Sequence, residues 1–235
     1  MSSKKKIKVV ILLAGMGSRL GRPHPKSLTP LENGETILSR QLRILSGFDL
    51  SVCAVVGFKK DIIMEAAPDV LFAYNTNYDT TNTSKSLLCA LNHIHHSDVL
   101  WLNGDVVFDP EIIELMLEAK TSAVAVNNAR TSDEEIKYTL NDNGYINTIS
   151  KQVKNALGEA LGINLIKAEH LELFKHKLEL VDDNDYFERG MELLIDDMRD
   201  VFKPIDIGDR NCVEVDFEDD LSLAREMVKD DSYSK

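Results

Sequence analysis

Short, nearly unbroken apolar runs alternate along the first half of this chain with stretches whose apolar residues recur every three or four positions. The runs KVVILLA (8–14), SVCAVVGF (51–58), VLFAYN (70–75), DVLWLNGD (98–105) and SAVAVNN (122–128) read as buried strands. Between them, TILSRQLRILSGF ends at Gly47, KKDIIMEAAP stops at Pro68, TSKSLLCALNHIHH follows a polar entry, and DPEIIELMLEAK has Pro110 near its start. These four read as helices. Strands that are apolar throughout, separated by helices, predict a mainly parallel sheet covered on both faces.

Past Asn128 the rhythm changes. IKYTLNDNGYINTISK predicts a hairpin turning at Asp142-Asn143-Gly144. ALGINLI, VFKPIDI and CVEVD read as further strands, and KAEHLELFKHKL, DYFERGMELLIDDMR and EDDLSLAREMVK as helices. No repeat, low-complexity linker or composition break divides the chain. The expectation is one α/β domain over residues 1–235, a Rossmann-like, mixed but mainly parallel sheet sandwiched by helices. Residues 1 to about 128 form its first half, and about 129–235 an elaborated second half.

The formal net charge of −12 argues against bulk attraction to nucleic acid or an anionic membrane. The chain has no run of about 18 apolar residues of the kind that spans a bilayer. The start, MSSKKKIKVVILLAG, reads as a first strand behind a solvated tail rather than a leader, because its apolar part gives way to Gly-rich, basic sequence. Cys53, Cys89 and Cys212 are odd in number and widely spaced, which fits a reduced, cytoplasmic protein. Cys89, Cys212 and Trp101 read as packed residues. His93, His95 and His96 sit near a helix end without an acidic partner, and the acidic runs at 182–185, 196–197 and 218–220 read as solvated faces or helix starts.

Chemistry concentrates at the end of the first run. ILLAGMGSRLGRPHPKSL (11–28) places glycines at 15, 17 and 21, then Pro25-Lys26. Glycine lets backbone N–H groups approach an anion. The dinucleotide pattern G-x-G-x-x-G fails because Leu20 stands at its third glycine, and no G-x-x-x-x-G-K-[ST] is present. What remains is a polyphosphate loop with Arg19 and Lys26 as its charges, set against a plain turn with solvated charges. Asp105 and Asp216 close two apolar runs, where carboxylates either line the crevice of an open α/β sheet or cap the next helix.

The stretch Leu13-Ala14-Gly15-Met16-Gly17-Ser18-Arg19, followed by Pro25-Lys26, resembles the L-A-A-G-x-G-x-R…P-K signature of nucleotidyltransferases of the nucleotide-diphospho-sugar transferase fold. A single Ala14 before the glycines and the short gap to Pro25 are departures. The resemblance implies a loop around the phosphates of a nucleoside triphosphate, Arg19 and Lys26 as catalytic cations, and Asp105 and Asp216 as ligands of Mg²⁺, with Gly104 on the nucleotide side. Asn75, Tyr78, Asn82 and Ser86, with Leu87, resemble the base-side segment of the CTP-using branch that acts on phosphocholine, phosphonates and phospho-amino acids. CVEVDFEDDLSLA resembles the ending of the same branch. Where sugar nucleotidyltransferases carry E-K-P, this chain has Ser150-Lys151 with no following proline, so Lys151 is left for the acceptor phosphate. Tyr186-Phe187-Glu188 resembles an aromatic–acid pair facing a cationic acceptor, with core packing as the alternative.

The expected activity is therefore Mg²⁺-dependent cytidylyl transfer from CTP to a small phosphorylated or phosphonate acceptor, with release of pyrophosphate. The expected partners are those two substrates. Nucleic acid is excluded and a homodimer is compatible with the reading. The alternatives are a sugar 1-phosphate nucleotidyltransferase and a nucleotide sensor without catalysis.

Overall fold

The computed structural model describes residues 7–17, 24–129, 131–132, 135–229 and 231. Among these residues, a nine-stranded sheet organises the fold. Its first strands are β1 (Ile7–Leu13), β2 (Leu50–Val56), β3 (Leu71–Tyr74) and β4 (Val99–Asn103), mutually parallel in the order β4-β1-β2-β3. The connections are helical: α1 (Ile37–Ser46), α2 (Lys60–Ala66) and α3 (Thr83–Leu91). This is the crossover pattern that fully apolar strands require, since parallel neighbours cannot be joined by a tight turn.

After β4 the chain leaves the sheet for a short strand, β5 (Val106–Phe108), to which the sequence pattern assigned no element. Then α4 (Glu111–Glu118) leads to β6 (Ser122–Asn127). The hairpin is present as β7 (Lys137–Leu140) and β8 (Ile146–Ser150), turning through Gly144 at φ +71°, a conformation that suits glycine. The strand β9 (Gly158–Ile166) is buried along its whole length and inserts antiparallel between β4 and β6. The two halves of the chain therefore share one sheet.

α5 (Ala168–Leu180) and α6 (Phe187–Met198) cover one face. β10 (Phe202–Asp206) is an edge strand parallel to β6, where Pro204 lacks only a donor that an edge can spare. β11 (Cys212–Glu214) pairs with β5 in a separate two-stranded sheet, and α7 (Glu218–Val228) packs over it. The CVEVD run is thus not a strand of the main sheet, contrary to expectation. Two large cores lie on the two faces of the main sheet, one around Trp101 and one around Ile11, with a small third core under α7. The three histidines fall beyond the end of α3 rather than inside it. No helix among the described residues is long and apolar enough to cross a membrane.

Candidate active site

The end of β1 is crowded by two glycines from neighbouring segments. A side chain at Gly57 would come within 2.4 Å of Tyr78 Cβ and 2.7 Å of the Ala14 carbonyl oxygen. One at Gly104 would meet Leu13 Cδ2 at 2.2 Å. Their smallness lets Tyr78 and Asp105 close in on either side of the loop that leaves β1. The Gly104 N–H donates to the Leu12 carbonyl (3.0 Å), and Gln41 on α1 donates to the carbonyls of Asn103 (3.0 Å) and Val106 (2.8 Å). The Gly104-Asp105 turn is held from both sides.

In the loop itself, Gly17 has φ +58°, and a Cβ there would sit 3.1 Å from Lys26 Cβ. At Gly15 a Cβ would point into open space. Ala14, Gly15, Met16, Gly17 and Lys26 all line one cleft of about 610 Å³. Ser18 and Arg19 lie outside the described residues.

Asp105 does not end β4, which stops at Asn103; it stands in the turn to β5. Antiparallel pairing of β5 with β11 brings it beside Asp216, with the Val215 N–H donating to the Asp105 carbonyl at 3.0 Å. Asp220, in the first turn of α7, accepts from the N–H groups of Asp216 (3.1 Å) and Phe217 (2.7 Å) and so fixes the backbone at Asp216. Lys26 Nζ donates to Asp105 Oδ2 (2.8 Å) and Asp216 Oδ1 (2.5 Å). Burial alone would pull the Lys26 ammonium down, but the two aspartates more than offset it and hold its pKa above the usual lysine value.

Glu214 joins them, and was not among the sequence candidates because it faces the site from inside a strand. Oxygens of Asp105, Glu214 and Asp216 lie within 4.8 Å of one another. Burial, and then repulsion from Asp105, Glu135 and Asp216, pushes the Glu214 carboxyl well above the usual range. Asp105 Oδ1 is buried with no hydrogen-bond partner among the described residues. Three hard oxygen donors converging with one left unsatisfied fit a small divalent cation such as Mg²⁺. The Lys26 ammonium neutralises the two aspartates.

The opposite wall combines the two remaining segments. Tyr78, Asn82 and Ser86 line the cleft. Asn75 does not; its buried amide donates to Thr81 Oγ1 and Ser86 Oγ, both at 3.0 Å, and shapes the loop from behind. Asn82 caps α3, its N–H donates to the Asp183 carbonyl (2.8 Å) and its amide to that of Asn184 (3.1 Å). Thr83 Oγ1 accepts from the Phe187 N–H (3.1 Å), capping α6 from another helix. The 75–87 and 182–188 segments are therefore stitched into one wall.

Lys151, Tyr186, Phe187 and Glu188 all line it. Their characters differ. Tyr186 is 42% exposed and carries Lys151 Nζ 5.7 Å from its ring centroid. Phe187 is 1% exposed and packs edge-on against Trp101 with centroids 5.7 Å apart, so its ring belongs to the core. Glu188 is buried, and its carboxyl is pushed up to about 7 by desolvation, against the opposing pull of its own backbone N–H and of Lys151.

A strand-end glycine loop, a lysine beside a carboxylate trio, and segments from both halves of the sheet meet in this one cleft. Residues 9–177 match the MobA-like NTP transferase domain. The chain belongs to that family. Among curated proteins it is similar to the CMP-5'-(3-aminopropyl)phosphonate synthase of Streptomyces rubellomurinus, 36% identical over 132 residues that make up 52% of this chain and 21% of that one. It is also similar to the bifunctional protein GlmU of Methanococcus maripaludis, 28% identical over 88% of this chain and 49% of the relative. The chain thus spans 21% and 49% of the lengths of these two relatives. Among solved structures, the inositol-1-phosphate CTP transferase from T. maritima superposes with a TM-score of 0.78 at 14% identity, over 97% of this chain and 98% of that one. The nucleotide-diphospho-sugar transferase fold expected from the sequence is present.

Proposed function

We propose that this chain transfers a cytidylyl group from CTP to a small, amine-bearing phosphorylated or phosphonate acceptor, releasing pyrophosphate. The observation that carries the reading is the convergence of the Gly15–Gly17 loop, Lys26 and the Asp105–Glu214–Asp216 trio on one cleft, whose other wall holds Lys151 and Glu188. Similarity to a CMP-phosphonate synthase supports CTP as the donor and a phosphonate-like acceptor.

In this reading an acceptor phosphate oxygen attacks the α-phosphorus, and the bond from that phosphorus to the bridging β-phosphate oxygen breaks. The ionised acceptor needs no general base, so the chain's contribution is positioning and charge neutralisation. The N–H groups of residues 15–17 approach the phosphates where Gly15 leaves open space. Lys26, and Arg19 by its place in the motif, neutralise the departing pyrophosphate. Asp105 and Asp216, with Glu214, hold Mg²⁺, which when bound stabilises the charge gathering on the phosphates. Tyr78, Asn82 and Ser86 border the base, and Lys151 meets the acceptor phosphate.

A second reading, sugar 1-phosphate nucleotidyl transfer, is favoured by the GlmU relatives, which align over most of this chain. Ser150-Lys151 in place of E-K-P speaks against it. Pyrophosphate release, with CTP, UTP, GTP and ATP crossed against phosphoethanolamine, 3-aminopropylphosphonate and glucose 1-phosphate, tests the choice. CTP with an amine-bearing acceptor is the expected pair. Turnover confined to glucose 1-phosphate would replace the first reading with the second.

A further inference from the structure

On the acceptor wall, one carboxylate is left with too few partners. Glu188 is 8% exposed, in the first turn of α6, and lines the cleft. One of its oxygens turns back to its own backbone N–H, while Oε2 is buried with no hydrogen-bond partner among the described residues. A buried acceptor atom without a donor is costly, and each one calls for an explanation such as a bound ligand or ion. Among the described residues, Lys151 on the same wall attracts it and Glu192 on the same helix repels it.

We infer that Glu188 recognises an N–H-bearing ammonium group on the acceptor, so that the substrate is a primary alkylamine phosphate or phosphonate rather than a quaternary ammonium ester. This rests on the cytidylyl-transfer reading above. The distinction follows from hydrogen-bond inventory. A primary ammonium brings three donors, and one of them satisfies Oε2. A trimethylammonium brings none, and seating it against Glu188 leaves Oε2 as unsatisfied as before. Its usual compensation is a set of aromatic faces. Here the Phe187 ring is packed into the core against Trp101, and the Tyr186 face already holds Lys151.

Charge on the same wall points the same way. Lys151 and Glu188 offer one positive and one negative group to one cleft. A zwitterion with its phosphate on Lys151 and its ammonium on Glu188 pairs both.

Phosphoethanolamine and phosphocholine make a matched pair, since they differ only in three N-methyl groups. With saturating CTP and Mg²⁺, kcat/KM for phosphoethanolamine should exceed that for phosphocholine tenfold or more, because sites built to pair with an N–H strongly reject analogues without one. Glu188→Gln should collapse that ratio towards one by raising KM for phosphoethanolamine, while KM for CTP stays within about twofold. Glu188→Asp serves as the second variant if the glutamine protein melts early, and should give an intermediate ratio. Equal or better turnover of phosphocholine by the unmodified protein would overturn the ammonium inference and leave cytidylyl transfer standing. So would a ratio untouched by both variants. Pyrophosphate released with glucose 1-phosphate but with neither amine would overturn the transfer reading itself and this inference with it.

Discussion

The Lys26 ammonium lies 2.8 Å from Asp105 Oδ2, against the acidic trio of Asp105, Glu214 and Asp216. The proposed reaction asks two roles of this one side chain. It balances Asp105 and Asp216, and in the proposed reaction the same charge would meet the leaving phosphates. Lys26→Ala should lower kcat about a hundredfold, or roughly 3 kcal/mol, the usual cost of one preorganised charge contact. Pyrophosphate release measures this, with far-UV circular dichroism to show that the fold persists. Unchanged turnover in a folded variant would remove Lys26 from the chemistry.

The two aspartates carry a separate expectation. Asp105→Asn and Asp216→Asn each keep the size of the side chain and remove a charge from the oxygen set. Each should weaken Mn²⁺ binding followed by electron paramagnetic resonance, and each should raise the Mg²⁺ concentration for half-maximal activity at least tenfold. Excess EDTA should abolish turnover in the unmodified protein. Activity that survives EDTA would show that Asp105, Glu214 and Asp216 serve only to hold Lys26.

Gly17 is constrained twice, by φ +58° and by the 3.1 Å approach of a Cβ to Lys26 Cβ. Gly17→Ala therefore has to adopt a left-handed conformation at about 1–2 kcal/mol and displace Lys26 as well. The expected result is a loss of kcat larger than the small drop in melting temperature would suggest. Gly15→Ala meets open space, so its effect should fall on KM for CTP, where the methyl group would occupy the phosphate position. Equal kinetics for the two variants would contradict this division of labour.

The alternation of apolar runs with helical stretches made the parallel core legible, because strands buried on both faces leave no polar positions to confuse the pattern. The glycine loop with Lys26, and the aspartates, were legible as chemistry because each stands at the end of such a run. What was hidden depended on pairing. β5 is three residues long, and its role is apparent only through β11, far along the chain. That pairing is what turns Glu214 towards the aspartates. Asn75 looked like a contact residue, but its amide is spent on Thr81 and Ser86, which no spacing rule reveals. Phe187 read equally as a cation face or a packed ring, and the register of α6 against Trp101 decides for the packed ring.

Phe187 accordingly behaves as a core residue in the next expectation. Phe187→Ala removes a fully buried ring and should cost about 3–5 kcal/mol. For a domain of this size that is a fall in melting temperature of about 10 °C. Phe187→Leu should recover most of it. Neither should change KM for CTP. A Phe187→Ala protein that melts like the unmodified one, but has lost affinity for the acceptor, would return this ring to the binding surface.

Glu188 gives the fold a pH dependence whose sign can be worked out. Its carboxyl is pushed from 4.5 up to about 7 by burial, with Lys151 opposing and Glu192 reinforcing the shift. Between those two values the native state holds a proton that the unfolded chain has released. Stability therefore falls as pH rises through this window and stays lower above it. The full difference amounts to roughly 3 kcal/mol at most. Glu188→Gln mimics the protonated form at every pH, so it should melt close to the unmodified protein at pH 5 and several degrees higher at pH 8. An amine-bearing acceptor that pairs with the ionised carboxylate should reverse part of the loss, raising the melting temperature more at pH 8 than at pH 5. Urea or thermal melts of both proteins at the two pH values, with and without phosphoethanolamine, measure all four quantities. A variant whose advantage does not grow with pH would show that Glu188 is ionised in the empty cleft, and that its Oε2 is already satisfied in solution.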